Sequence, residues 1–111
     1  MIIFILVLNI FIVFIQGQDT THTFLYKDIQ QKLILAKNGD IINIPEGKFY
    51  FIRSLWGDNL NNIILQGAGI DKTIISFENQ IEGAEGLKII NSNKIILKDF
   101  TIQNSKGDLI K

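Results

Sequence analysis

Cysteine is absent from this 111-residue chain, and histidine and tryptophan occur once each. Without cysteine there is no disulfide, no lipoprotein attachment site and no thiolate metal site. The single histidine, His22, falls in a polar segment, and we do not expect it to act in catalysis. Basic and acidic side chains balance at 11 each. No strong field therefore attracts polyanions, and the sequence predicts no nucleic-acid binding.

An almost uninterrupted apolar run opens the chain, from Met1 to Ile15 with Asn9 as its only polar residue. A secretory hydrophobic region spans ~7–15 residues and a bilayer span needs ~20, so the length favours a signal peptide over residues 1–18. The alternative is an uncleaved N-terminal anchor, because no lysine or arginine precedes the run. Either interpretation predicts an exported protein, periplasmic, extracellular or at the cell surface, with membrane contact only through residues 1–18 and only if they are not cleaved.

A short helix is predicted after a flexible lead-in over residues 19–25. Residues at helical spacing form one apolar stripe, which two further residues broaden: Tyr26, Ile29, Leu33 and Ala36, with Ile34 and Leu35 beside them. Asn38-Gly39 can adopt the left-handed backbone conformation that ends a helix. The pattern therefore predicts a helix over residues 26–37 that packs against a large apolar surface.

Beyond Gly39 the apolar runs are short and rich in isoleucine and phenylalanine, which is typical of strands. Two interleaved sets of runs recur at spacings of 22 to 24 residues, with starts at Ile41, Ile63, Leu87 and Leu109, and at Phe49, Thr73 and Ile95. Residues 100–102 add a further strand. A repeat in this range predicts a solenoid whose successive turns stack in parallel. Leucine is too sparse for leucine-rich repeats, so the pattern favours a parallel β-helix.

Three segments carry a family resemblance. "GDIINIPEGKFYF" (39–51) and "NIILQGAGIDKTIISF" (62–77) resemble the opening turns of right-handed parallel β-helix proteins of the pectate-lyase-like superfamily. "IQQKLILAKNGD" resembles the helix that caps the first turn of such proteins, and "SNKIILKDFTIQNSKGDLIK" (92–111) resembles their ordinary repeat. The expected fold over residues 26–111 is an all-β solenoid, a right-handed single-stranded parallel β-helix of about three turns with an N-terminal capping α-helix.

The resemblance implies relation to polysaccharide lyases, epimerases or hydrolases, with polysaccharide as a possible partner. No catalytic, cofactor or metal residue is evident, and calcium enters through the resemblance alone. "GDLIK" breaks off within a strand-like run, so we expect an N-terminal portion whose catalytic groups lie beyond residue 111. The alternatives are a non-catalytic cell-surface carbohydrate-binding or adhesion module and an inactive truncated product. An open C-terminal end would permit self-association.

Trp56 is the one candidate ligand contact. It lies in "SLWGDNL", predicted as a corner loop, where an indole could stack on a sugar ring. The competing interpretation is that Trp56 folds back over the capping helix. Arg53 and Lys48 could face a carboxylate, but the sequence does not place them together.

Two polar groups have structural interpretations. Glu78, Glu82 and Glu85 suggest a calcium or sugar contact, although a solvated loop between strands explains them more simply. Four asparagines are predicted at corners, where stacked side chains would hydrogen-bond from turn to turn: Asn61, Asn62, Asn91 and Asn93.

Overall fold

The computed structural model describes residues 21–111, which comprise one helix and eight strands. The helix, α1, spans residues 21–34. The strands follow in chain order: β1 Ile41–Asn43, β2 Gly47–Tyr50, β3 Arg53–Asp58, β4 Asn61–Gln66, β5 Thr73–Ser76, β6 Glu82–Ile90, β7 Asn93–Lys98 and β8 Thr101–Gln103.

The strands form three parallel sheets, ordered β1-β4-β7, β2-β5-β8 and β3-β6. Neighbouring strands come from successive passes of the chain: β1 to β3 form the first pass, β4 to β6 the second, and β7 with β8 begin the third. Leu87 in β6 also forms an isolated parallel bridge with Ile110. Parallel strands cannot be joined by a tight hairpin, so every ladder closes between residues far apart in sequence. Parallel pairing between passes agrees with the prediction from the sequence.

Alternation along the strands sends one set of side chains into a common core. In the first sheet, Ile42 pairs with Leu65 and Leu65 with Leu97; the first two are buried and Leu97 packs against them. In the second sheet, the inward row is Phe49, Ile75 and Ile102. A period of two residues places alternate side chains on one face of a strand, which explains why the isoleucine-rich runs serve as strands here.

Helix α1 packs its Leu25, Ile29 and Leu33 against this core, all three buried. The helix starts and ends earlier than predicted, at residues 21 and 34 instead of 26 and 37. Residues 21–25, expected as part of a flexible lead-in, form its first turns. A turn ends the helical path: the N–H of Asp40 bonds to the carbonyl of Lys37 at 2.9 Å. Ile34 and Leu35, predicted to broaden the packed face, are exposed.

Polar side chains of α1 also bind the outer edge of the first strands. Gln30 bonds to both backbone groups of Trp56: Nε2 donates to its carbonyl at 2.8 Å and Oε1 accepts from its N–H at 2.9 Å. The Tyr26 hydroxyl donates to the carbonyl of Ser54 at 2.8 Å. These side chains satisfy backbone groups of β3 that a further strand would otherwise pair.

The predicted right-handed parallel β-helix solenoid is wrong. The strands form three separate small sheets of three, three and two strands instead of one continuous coil. The predicted period also fails, since Ile41 pairs with Ile64 but Ile63 pairs with Ile95, 32 residues along the chain. The second pass is longer because residues 77–86 contain a turn and an irregularity in the β3–β6 register.

The third sheet, β3-β6, was not predicted. The run from Leu87 to Ile90 was grouped with Ile41 and Ile63, yet it pairs with Leu55 to Asp58. Composition misled the prediction, because runs of similar isoleucine content belong to different sheets. "SLWGDNL", expected as a corner, contains most of β3.

Gly67 lies buried where the corner after β4 meets the corner after β7. Its N–H donates to the carbonyl of Lys98 at 3.0 Å. A Cβ at this position would overlap the carbonyl oxygen of Asp99 and approach Thr73 Cβ to 2.8 Å. Two backbone corners can approach this closely only where there is no side chain.

Gly67→Ala should therefore lower the free energy of unfolding by about 1–3 kcal/mol through overpacking. Gly107→Ala is the matched control and should have a smaller effect, because its Cβ would meet only atoms of Ala84 and would come no closer to them than 3.3 Å. Urea denaturation followed by Trp56 fluorescence measures both. Equal losses in the two variants would contradict the close approach at Gly67.

Candidate functional site

A cavity of about 360 Å³ lies between the first turns of α1 and the segment joining β2 to β3. We call it the helix–strand groove. Its lining combines aromatic, cationic and small polar side chains: His22, Thr23, Tyr26, Lys27, Tyr50, Phe51, Ile52 and Arg53. None of these lining residues is acidic, so the groove offers positive charge beside apolar ring surface.

Ring contacts fix the walls of the groove. Tyr26 packs edge-on against Phe51, with ring centroids 5.4 Å apart, and His22 packs edge-on against Tyr50 at 5.7 Å. The backbone N–H of Tyr50 donates to His22 Nδ1 at 3.2 Å. This bond leaves Nε2 as the nitrogen that carries the proton in neutral His22. His22 thus joins α1 to β2, whereas the sequence placed it in a flexible lead-in.

Arg53 brings a cation to the groove. Its guanidinium lies 5.9 Å from the centroid of the Tyr26 ring and its Nη2 lies 3.5 Å from a carboxylate oxygen of Glu82. Both members of the ion pair are substantially exposed, so the pair contributes only about 0–1 kcal/mol. A ligand carboxylate can therefore replace Glu82 at small cost. Lys27 forms no ion pair within residues 21–111.

Tyr26 lines the groove, and its hydroxyl donates to the carbonyl of Ser54. Burial raises the pKa of this phenol above its ordinary value of 10.0, partly opposed by the nearby Arg53 charge. The folded state thus holds the Tyr26 proton more tightly than the unfolded state. The associated stability is complete below about pH 10 and is lost as pH rises further.

Wild-type protein should accordingly lose more unfolding free energy between about pH 8 and about pH 11 than Tyr26→Phe, which has no phenol to ionise there. Tyr50→Phe keeps the Tyr26 hydroxyl and should retain the full loss. Chemical denaturation at both pH values measures the difference. An identical pH dependence in wild type and Tyr26→Phe would refute the role of this proton.

The groove was not predicted from the sequence. Lys48 and Arg53 were noted as cations without a common location; Lys48 lies 5.4 Å from the centroid of the Tyr50 ring and Arg53 lies over Tyr26. The available signal was the order of aromatic and basic residues in "KFYFIR" (48–53). That run alone could not show that α1 packs beside it.

Trp56 lies outside the groove, in the middle of β3 rather than in a corner loop. Its side chain is 42% exposed, and its strand neighbour in β6 is Lys88. The backbone of Trp56 is bonded to α1 through Gln30, but the indole remains accessible. Sugar stacking by Trp56 stays a prediction.

Glu78, Glu82 and Glu85 do not form a metal-binding cluster. Glu82 pairs with Arg53, and Glu85 lies 3.8 Å from Lys111 Nζ. Hydrogen bonding from its own backbone N–H lowers the pKa of Glu85, assisted by Lys88 and Lys111. Across residues 21–111, no three acidic or histidine side chains are placed to hold a metal ion. Glu82 and Glu85 also belong to β6, not to a loop as expected.

A buried glutamine organises this irregular segment, and no pattern in the sequence indicated its role. Gln80 is 2% exposed. Its Nε2 donates to the carbonyls of Glu82 and Glu85 at 3.1 and 2.9 Å and contacts Ser54 Oγ at 3.1 Å. Ser54 Oγ donates to the same Glu85 carbonyl. These bonds satisfy backbone groups that the register shift between Arg53 and Leu55 leaves out of the ladder.

Gln80→Ala should lower the unfolding free energy by about 1–3 kcal/mol, because the carbonyls of Glu82 and Glu85 lose a donor that is held in a buried position. Gln31→Ala, on the exposed side of α1, should change it by less than about 0.5 kcal/mol. Thermal and urea unfolding provide the comparison. A Gln80→Ala protein as stable as Gln31→Ala would show that the amide is not needed at the bulge.

Asparagines join successive passes as expected, but of the four predicted at corners only Asn91 lies in one, because Asn61, Asn62 and Asn93 lie at the starts of β4 and β7. Asn62 Nδ2 donates to Asn38 Oδ1 at 3.2 Å, and Asn93 Nδ2 lies 3.5 Å from Asn61 Oδ1. Asn91 donates to Asp58 at 3.1 Å. Asn59, Asn62, Asn91 and Asn104 also adopt positive φ values, from 51° to 64°. Asparagine tolerates this conformation better than most residues, so its role here is structural.

Comparison of the chain with protein-family models, curated proteins and solved structures finds no match. The resemblance to the pectate-lyase-like superfamily therefore stays a prediction, without the fold that it implied. The signal-peptide or anchor interpretation falls on residues 1–18, outside the described residues. Within residues 21–111, no helix has the length and apolar character needed to cross a bilayer. The described residues also provide no support for a carbohydrate function.

Proposed function

We propose that residues 21–111 form a non-catalytic binding module that takes a small carboxylate-bearing ligand in the helix–strand groove. The observation that supports this most directly is the convergence of Lys27 and Arg53 on a cavity walled by Tyr26 and Tyr50. A guanidinium binds a carboxylate through charge-assisted hydrogen bonds, which are stronger than neutral ones. The rings supply an apolar surface for the rest of the ligand.

The groove favours a ligand that combines one carboxylate with one flat or apolar ring face. Its volume of about 360 Å³ lies at the small end of the range for ligand pockets. Contacts with Tyr26 and Glu82 within the protein hold Arg53 at the groove, so they supply part of the ordering needed for binding. Little protein rearrangement is then required beyond release of Glu82.

Two chemical sources could supply such a ligand: a uronic acid and an aromatic carboxylate. Titrations with galacturonate and with benzoate separate them, while galactose and benzyl alcohol serve as the uncharged counterparts. We expect the charged member of at least one pair to bind and its neutral counterpart to bind at least about tenfold more weakly. Chemical-shift changes in labelled protein measure affinity and location together.

Matched variants test the site itself. Lys27→Gln and Arg53→Gln should each weaken binding about tenfold, since each removes one charge-assisted contact. Lys37→Gln makes the same change in charge away from the groove and should leave the affinity unchanged. Trp56→Ala distinguishes the groove from the outer face of β3. Loss of binding in Trp56→Ala alone, or equal loss in Lys37→Gln, would overturn the proposed site.

The prediction of a polysaccharide enzyme places the catalytic groups beyond residue 111, so it assigns no role to the residues of the groove. It remains a prediction from the resemblance. The binding-module proposal rests instead on contacts among His22, Tyr26, Tyr50 and Arg53. Absence of binding in the titrations would contradict the binding-module proposal whether or not the protein is exported.

A further inference from the structure

The turn between α1 and β1 contains the only asparagine–glycine step of the 111-residue chain, Asn38-Gly39. Because glycine has no side chain to shield its backbone nitrogen, this nitrogen can approach the side-chain carbon of the preceding asparagine. Attack at that carbon begins spontaneous deamidation, a reaction that makes asparagine thermally labile in proteins. Both residues are exposed, and Gly39 has a φ of 92°. The turn therefore presents a chemically susceptible pair to water.

Two hydrogen bonds to the next pass of the chain hold this pair. The backbone N–H of Gly39 donates to the carbonyl of Asn62 at 2.9 Å. The side chain of Asn62 also contacts the pair, because its Nδ2 donates to Asn38 Oδ1 at 3.2 Å. Attack requires the nitrogen and the carbon to approach to about 3–3.5 Å with their orbitals aligned. Bonds that direct both groups toward Asn62 oppose that geometry.

Further bonds anchor the residues on either side of the pair. The N–H of Lys37 donates to Asp40 Oδ2 at 2.8 Å, and the N–H of Asp40 donates to the carbonyl of Lys37 at 2.9 Å. The carbonyl of Asp40 accepts from the N–H of Ile64 at 3.1 Å. Asn38 and Gly39 can thus rotate into the reactive arrangement only when the turn opens. Local openings of this kind cost less free energy than global unfolding.

We propose that Asn38 is a deamidation site and that Asn62 gates the reaction by bonding to both members of the pair. When the turn opens and base removes the amide proton of Gly39, the nitrogen forms a bond to Asn38 Cγ. The side-chain amide nitrogen leaves as ammonia, and a cyclic imide remains. Water then opens the imide: addition at the Cγ carbonyl gives aspartate, and addition at the α-carbonyl gives isoaspartate.

The two products affect the fold differently. Aspartate at position 38 keeps an oxygen that can accept from Asn62 Nδ2, and it adds a negative charge close to Asp40. Isoaspartate adds a carbon atom to the backbone between α1 and β1, which displaces Gly39 from the carbonyl of Asn62. Since α1 forms one wall of the helix–strand groove, isoaspartate should loosen the connection on which that wall depends.

The test follows each asparagine of the full chain by mass spectrometry of its peptides, after incubation in buffer and in guanidinium chloride at the same pH. In the denatured chain Asn38 should react fastest, ahead of Asn91 and Asn104, which precede serine. In the folded chain Asn38 should react at least about tenfold more slowly than in the denatured chain. Equal rates in the two states would refute the gate, and a faster asparagine elsewhere in the denatured chain would refute the site.

Matched alanine variants isolate the side chain of Asn62. Asn62 and Asn91 have positive φ values of 56° and 51°, and each donates one side-chain hydrogen bond, so alanine carries a similar conformational cost at both positions. Asn62→Ala should speed deamidation at Asn38 about two- to tenfold, because one hydrogen bond is lost. Asn91→Ala should leave that rate unchanged. An Asn62→Ala rate equal to that of wild type or of Asn91→Ala would overturn the gating role.

Hydrogen exchange of the wild-type protein gives a second measurement that needs no variant. The amide of Gly39 should exchange at least about tenfold more slowly in the folded chain than in the denatured chain, because its N–H is bonded to Asn62. Exchange of Gly39 at the rate of the denatured chain would show that this bond does not hold the turn closed, and would overturn the proposal.

Discussion

Backbone hydrogen bonding between distant passes of the chain is the constraint on which this structure depends. All the sheets are parallel, so no strand can satisfy its N–H and C=O groups with its immediate neighbour in sequence. Each pass requires the one before it. The buried isoleucines, the corner asparagines and the close approach at Gly67 all serve to bring successive passes into register.

The same constraint explains why α1 is more than an apolar lid. A helix that only covered Ile42, Leu55 and Phe51 would leave the edge of β3 that faces away from β6 without partners. Gln30 supplies a donor and an acceptor together, as the backbone of another strand would. The groove between α1 and β2 arises where this cover ends, which is why its walls come from both elements and why aromatic and cationic side chains meet there.

Short-range patterns in the sequence predicted the local structure well. Isoleucine-rich runs indicated β1, β4, β5 and β7, and apolar spacing indicated one helix near residues 26–37. Pairing was less predictable, since Leu87 resembles Ile63 in its surroundings but belongs to another sheet. The turn and bulge that lengthen the second pass depend on the buried amide of Gln80, and no periodicity marks such a residue.

The groove could not be predicted for a related reason. His22, Tyr26, Tyr50 and Arg53 occupy separate elements, and their proximity follows from the docking of α1. Trp56 was predicted as a sugar contact in a corner loop, but it lies within β3. The sequence shows the chemical character of each residue, whereas the arrangement of these residues depends on how α1 packs against the strands.

The parallel ladders also have a kinetic consequence. Ile41 cannot meet Ile64, nor Ile63 meet Ile95, until the intervening chain has closed a loop, and loop closure costs entropy before any ladder bond forms. Proteins dominated by such non-local pairing fold in about milliseconds to seconds, more slowly than helical bundles. During that interval the isoleucine-rich strands stay exposed, so the yield of folded protein will depend on how dilute the chain is while it folds.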